Sequence, residues 1–291
     1  MNKPCVNLRK LALFCAVSGM VIASSVYSQE LQIGTGESPL FEGEQLMRNG
    51  SYAAAADTFQ MADGLDRNEG IVGASRALFM MGNSVEAVSI AEQEIEDEDY
   101  ASFPLVSTQL AEVKRSIGHS EEALAILSTV VDGQVEPPVR TLVQYGSLLK
   151  FLGRKTEAEN VLDRAVQRYN NGLVFASEDV AMVALASWLL DNFHDANSLF
   201  SEATRANPDN LEAQVLWGDL FLEKYNANDA QRSYQEVLDI NSRHVPALVG
   251  MAKVGGDERS LTRALAINPN SVLALETYGQ LLLINNREEE A

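Results

Sequence analysis

The chain of 291 residues has two cysteines, Cys5 and Cys15, both close to its start. Past residue 15 there is no thiol, so the body of the chain can hold no disulfide framework, thiolate nucleophile or cysteine metal site. Histidine is nearly as scarce. His119, His194 and His244 stand apart, each in or near a polar turn, with no second histidine at ligand spacing and no HExxH. There is no GxSxG and no Gly-rich phosphate loop, and Ser147-Leu148-Leu149-Lys150 fits SxxK only at a length that recurs by chance. These absences predict no catalytic residue, no cofactor, no metal and no small-molecule substrate in this stretch. Positive charge is also short, with 22 Lys and Arg against 41 Asp and Glu, a net charge of −19. That balance argues against nucleic acid and anionic lipid as partners, and solubility alone accounts for it.

The start differs from everything after it. Lys3, Arg9 and Lys10 precede an apolar run at 11–23, and Val26-Tyr27-Ser28 offers a small-residue end before Gln29. A run of 13 residues is too short to span a bilayer as a helix. The pattern predicts a secretory signal peptide over 1–28, cleaved near Ser28, then a linker over 29–36 with Gly34 and Gly36. Cleavage would remove both cysteines and take the net charge from −19 to −22, since three cations leave with no acid. An exported chain of this kind is expected to be periplasmic.

The rest is periodic. Residues 211–242 read as two amphipathic helices joined by a polar turn at 226–228. The first carries Leu211, Val215, Trp217, Leu220 and Phe221, and the second Ala230, Tyr234, Val237 and Leu238. Gly218, beside Trp217, marks a point where helices can approach closely. An alanine early in the second helix recurs as Ala55, Ala87, Ala123, Ala158, Ala196 and Ala230, at steps of 32, 36, 35, 38 and 34. Leu142-Tyr145-Gly146-Leu149 and Leu275-Tyr278-Gly279-Leu282 repeat one Leu–aromatic–Gly–large spacing.

With that period and those residues the chain resembles the tetratricopeptide-repeat family. The resemblance implies an all-α, right-handed solenoid of helix-turn-helix units over 37–291. The units fall at about 37–67, 68–99, 104–131, 137–169, 177–208, 211–242, a shortened 245–269 and a truncated 270–291. The seventh lacks about seven residues, which predicts a local kink or change of pitch. The eighth stops at the position of its marker alanine, Ala291, which reads as part of a longer protein. The acidic run 92–99 lacks a calcium-loop glycine pattern and reads as a solvated helix end.

In this family the first helices line a concave groove that holds a peptide or helix. Transferring the groove offsets gives Met47, Phe79, Met80, Phe151, Trp188, Leu189 and Leu222 as an apolar strip, edged by Arg140, Lys150 and Asp219. The partner implied is a protein or peptide of unknown identity, and the role a non-catalytic scaffold of the bacterial cell envelope. The alternative is the repeat region of a larger secreted or envelope enzyme, peptidase-like or glycan-processing, whose catalytic domain follows. A component of envelope assembly or export is a second alternative.

Overall fold

A computed structural model describes residues 38–287, which form one compact unit. The predicted signal peptide, its cleavage point, the linker and Ala291 lie outside the described residues. The described chain is all α-helical: α1 Pro39–Arg48, α2 Tyr52–Phe59, α3 Arg67–Met80, α4 Ser84–Glu94, α5 Pro104–Ser116, α6 Ser120–Gly133, α7 Val139–Phe151 and α8 Lys155–Asn170. The second half continues with α9 Ser177–Leu189, α10 Phe193–Ala206, α11 Leu211–Glu223, α12 Ala227–Ile240, α13 Val245–Gly255, α14 Glu258–Ile267 and α15 Val272–Ile284. Odd-numbered helices are the first of each pair and even-numbered ones the second. Each helix packs on its pair-mate and on the first helix of the next pair, so the chain is an α-solenoid.

Local chemistry sets each joint. Inside a pair, the first helix ends in a left-handed residue: Gly50, Gly82, Gly118, Gly153, Asp191 or Tyr225. The next amide then reaches back to a carbonyl of the last turn, as Ser51 to Leu46 at 2.9 Å and His119 to Lys114 at 2.8 Å. This closes the orphan carbonyls of the helix end. Between the later pairs, a side chain caps the incoming first helix: Asn210 accepts from the Ala213 amide at 3.0 Å, and Ser271 from that of Ala274 at 3.3 Å.

All six marker alanines are buried, because each second helix crosses its neighbours at that point with no room for a larger side chain. Elsewhere the close approach is made by glycine against a ring. Phe59 of α2 lies between Gly43 of α1 and Gly73 of α3, and a Cβ at either glycine would sit 2.6 Å from the ring. Tyr234 of α12 is held in the same way between Gly218 of α11 and Gly250 of α13. The ring at Gly218 is therefore Tyr234 and not the adjacent Trp217. Trp217 turns toward α10, donates to Asn197 at 2.9 Å and tilts against Phe221.

The array also closes on itself. The turn of the first pair lies under the connection between α12 and α13. Asn241 donates to the Met47 carbonyl (3.2 Å) and the Tyr52 hydroxyl (3.0 Å), and buried Tyr52 donates to the Arg243 carbonyl (3.2 Å). The turn of the second pair meets the connection between α14 and α15 in the same way. Asn268 donates to the Phe79 carbonyl and Asn270 to that of Gly82, both at 3.0 Å. Gly50 and Gly82 are required twice over. Their φ angles are +80° and +86°, and a Cβ on either would sit 2.5 or 2.6 Å from the side-chain oxygen of Asn241 or Asn268. An Arg48–Asp209 ion pair at 2.7 Å extends this seam by one more connection.

Candidate functional site: the inner face of the first helices

The first helices line the inside of the array, which divides into a polar and a mixed cavity. The polar one, about 420 Å³, lies against α1, α3, α5, α7, α9 and α11. Arg140 of α7 is its centre. It reaches across to both carboxylate oxygens of Glu212 on α11, one at 3.0 Å, and approaches Glu112 on α5 at 3.7 Å. Arg76 pairs with Glu44 at 2.6 Å, and Thr108 and Thr141 share a hydrogen bond at 2.6 Å.

One guanidinium serves two carboxylates there, and their protonation diverges. Burial raises the Glu112 carboxyl above its usual range, and Arg140 offsets this only in part. Burial also pushes Glu212 up, but the bidentate Arg140 reverses it and leaves Glu212 below the usual range. The Glu212 charge in turn raises the pKa of Arg140 against its own burial. The Arg140–Glu212 link joins helices two pairs apart, so in this half the side chains of the array itself occupy the groove.

The second cavity, about 390 Å³, opens between α9, α11, α13 and α15. Trp188, Leu222, Pro246, Val249 and Leu273 give it apolar walls, and Asp219, Glu223 and Lys253 give it charge. Trp188 is oriented by donating its indole N–H to Glu223 at 2.8 Å. Asp219 accepts from the buried Tyr234 hydroxyl at 2.6 Å. Burial raises its carboxyl pKa, opposed by the Tyr234 hydrogen bond and by Lys253.

The strip drawn from the sequence is thus divided among several places. Trp188, Asp219 and Leu222 come together in the mixed cavity. Arg140 belongs to the polar cavity. Lys150 donates to the Leu189 carbonyl at the end of α9. Met47 and Phe79 are half-buried against the core of the first pairs, with their carbonyls in the seam, and Met80 is half-buried as well. Phe151 is 71% exposed at the end of α7. At the ends of α1 and α3 the returning chain takes the Met47 and Phe79 carbonyls. Sequence reasoning missed Pro246, Val249 and Lys253, since the shortened seventh pair offered no repeat spacing to count along. It also missed the seam. Its signal was present as a junction asparagine at 207, 241 and 268, each folding its side chain onto the amide two residues on at 3.0 Å.

Among the described residues no group of three or more His, Cys, Asp or Glu could hold a metal ion, and no helix is long and apolar enough to cross a membrane. Ser147 accepts from Arg115 at 3.2 Å while Lys150 turns to Leu189, so the two do not form a nucleophile–base pair.

Residues 139–171, which hold α7 and α8, match the family model of the tetratricopeptide repeat. That helix pair is a tetratricopeptide repeat. Among solved structures it is similar to a tetratricopeptide repeat protein from Parabacteroides merdae, at 14% identity over 84% of this chain and 97% of that one, with a TM-score of 0.49. It is also similar to YrrB, a repeat protein described as having an unusual peptide-binding site, at 17% identity over 66% of this chain and 97% of that one, with a TM-score of 0.36. A third is MamA, at 18% identity, 59% and 95% coverage and a TM-score of 0.34. No curated protein matches the chain in sequence. Tetratricopeptide-repeat arrays generally act as protein-interaction scaffolds, and their helix pairs supply surface rather than catalytic groups.

Proposed function

We propose that this array is a protein-binding scaffold of the bacterial cell envelope. It would take an apolar segment of a partner protein, as a peptide or helix, into the cavity between α9, α11, α13 and α15. The observation that carries this reading is the convergence there of Trp188, Leu222, Val249 and Leu273 from four successive first helices, with Lys253 and Glu223 at the rim. An aromatic anchor in an open apolar pocket with a charged rim is the arrangement in which a few side chains dominate interface energy. The envelope location rests on the basic start, apolar run and small-residue end of residues 1–28.

The test is a displayed peptide library panned against the chain. Enriched peptides should share an apolar anchor, and Trp188→Ala should weaken their binding by tenfold or more, since truncating such an anchor costs about 2 kcal/mol. Leu273→Asp, on an exposed wall, should do the same while the melting temperature holds. Peptides indifferent to both changes would sink the assignment. For location, the N-terminus of the chain recovered from envelope fractions should lie close to Gln29, and an intact Met1 would refute export with cleavage.

A further inference from the structure

We propose that copies of this chain associate head to tail, the free upper edge of one array receiving the free lower edge of the next through the contact that already closes the seam.

In every pair the turn between first and second helix lies at one edge of the array, and the connection to the next pair lies at the other. Inside the molecule these edges meet once. The turns of pairs one and two carry the connections that precede pairs seven and eight, through junction asparagines against helix-end carbonyls. The seam is therefore an edge-to-edge interface that this sequence makes with itself.

The remaining edges are free. The turns of pairs three and four have the same local geometry, with left-handed Gly118 and Gly153 donating to the Arg115 and Lys150 carbonyls at 3.1 Å. Nothing lies within 4 Å of a Cβ position at either glycine, where Gly50 and Gly82 meet asparagine. The stretches 114–119 and 150–155 hold Lys114, Arg115, Lys150, Arg154 and Lys155, of which Lys114, Arg154 and Lys155 also pair with Glu122, Glu157 and Glu159 of the helices that follow. Ile117, Phe151 and, in pair six, Tyr225 are exposed along this edge.

The free lower edge is its complement. The connections at 60–66, 95–103 and 133–138 carry Asp63, Asp66, Asp97, Glu98, Asp99 and Glu136 and no lysine or arginine. Met61, Leu65 and Val135 stand exposed there. The junction asparagine Asn207, in the connection whose Asp209 already meets Arg48, has the folded-back side chain of Asn241 and Asn268 and donates to the exposed Glu178 at 3.2 Å.

An apolar edge with empty glycine turns and surface-exposed basic side chains faces an anionic, apolar edge, in a molecule where the two edge types already bind. Arg48–Asp209 shows the same polarity inside the seam, with the cation on the turn and the acid on the connection. The occupant that fits is a second copy of this chain. Because the two edges differ, the contact is heterologous and leaves one edge of each kind free.

The test uses the full chain as isolated, by light scattering and sedimentation over a range of concentration. Self-association is expected and should weaken with added salt. Two variants separate the edges: Arg154→Glu with Lys155→Glu on the upper, and Asp63→Lys with Glu136→Lys on the lower. Each alone should lose the association while keeping the helical spectrum and melting temperature of the parent. An equal mixture should regain association, since the unaltered lower edge of the first variant meets the unaltered upper edge of the second and the two charge-reversed edges complement each other. A parent that stays monomeric, an association indifferent to both variants, or a mixture that stays monomeric would overturn the proposal.

Discussion

Gly250→Ala gives the sharpest test of how the pairs are fastened. In an exposed helix this change stabilises by about 1 kcal/mol, through helix propensity alone. Here the added methyl would sit 2.5 Å from Cε1 and 2.7 Å from Cε2 of Tyr234. The ring cannot retreat, because a Cβ position at Gly218 lies 2.6 Å from its opposite side and its hydroxyl is tied to Asp219. Overpacking of this kind costs roughly 1–3 kcal/mol, so the net effect should be a loss of up to about 2 kcal/mol after the propensity gain. Calorimetric or denaturant melting of the parent and the variant reads the sign directly. A second arm isolates the cause. In a Tyr234→Leu background the same Gly250→Ala should cost far less, a coupling on the order of 0.5–3 kcal/mol. If Gly250→Ala raises the melting temperature, or its cost is unchanged by Tyr234→Leu, the ring is not the wedge described here.

Asn241→Ala should leave the Tyr52 hydroxyl without one of its partners and free the Met47 carbonyl, costing roughly 1–3 kcal/mol. Hydrogen exchange should locate the loss in α1 and α2 and in the start of α13, and uniform protection would refute the seam. His244 caps α13 by accepting from the Ala247 amide, and burial depresses its pKa from 6.5 to about 4 despite the Glu212 charge. The unfolded chain therefore binds this proton first, so the contribution is complete above about pH 6.5 and is lost as pH falls toward about 4. Melting temperature against pH should flatten over that window in His244→Gln, and an unchanged slope would show that other groups set it.

The architecture was legible because its determinants are local and recur. Ala55, Ala87, Ala123, Ala158, Ala196 and Ala230 are buried for one geometric reason repeated at each crossing, and a single sequence displays that repetition. Proline and asparagine at 207–210 stopped one helix and capped the next as their chemistry dictates. The lining of the mixed cavity was legible only in part: full-length pairs give a spacing that reaches Trp188 and Leu222, and the shortened seventh pair gives none for Val249. The seam was not read, since its partners are separated by about 190 positions and the recurring junction asparagines mark one side of it without naming the turns they meet. Nothing local to Met47 or Phe79 shows that the chain returns to bind their carbonyls.

The seam also bears on how such a protein can change over generations. Open solenoids gain and lose whole repeats by duplication at modest cost, because each unit answers only to its neighbours. In this chain Gly50 and Gly82 must meet Asn241 and Asn268 after a set number of intervening units. Duplicating or deleting one unit between them would shift the phase and offer each glycine turn the wrong junction. The unit count between the second and seventh pairs is thereby held fixed by geometry, while units added outside that interval remain free to vary.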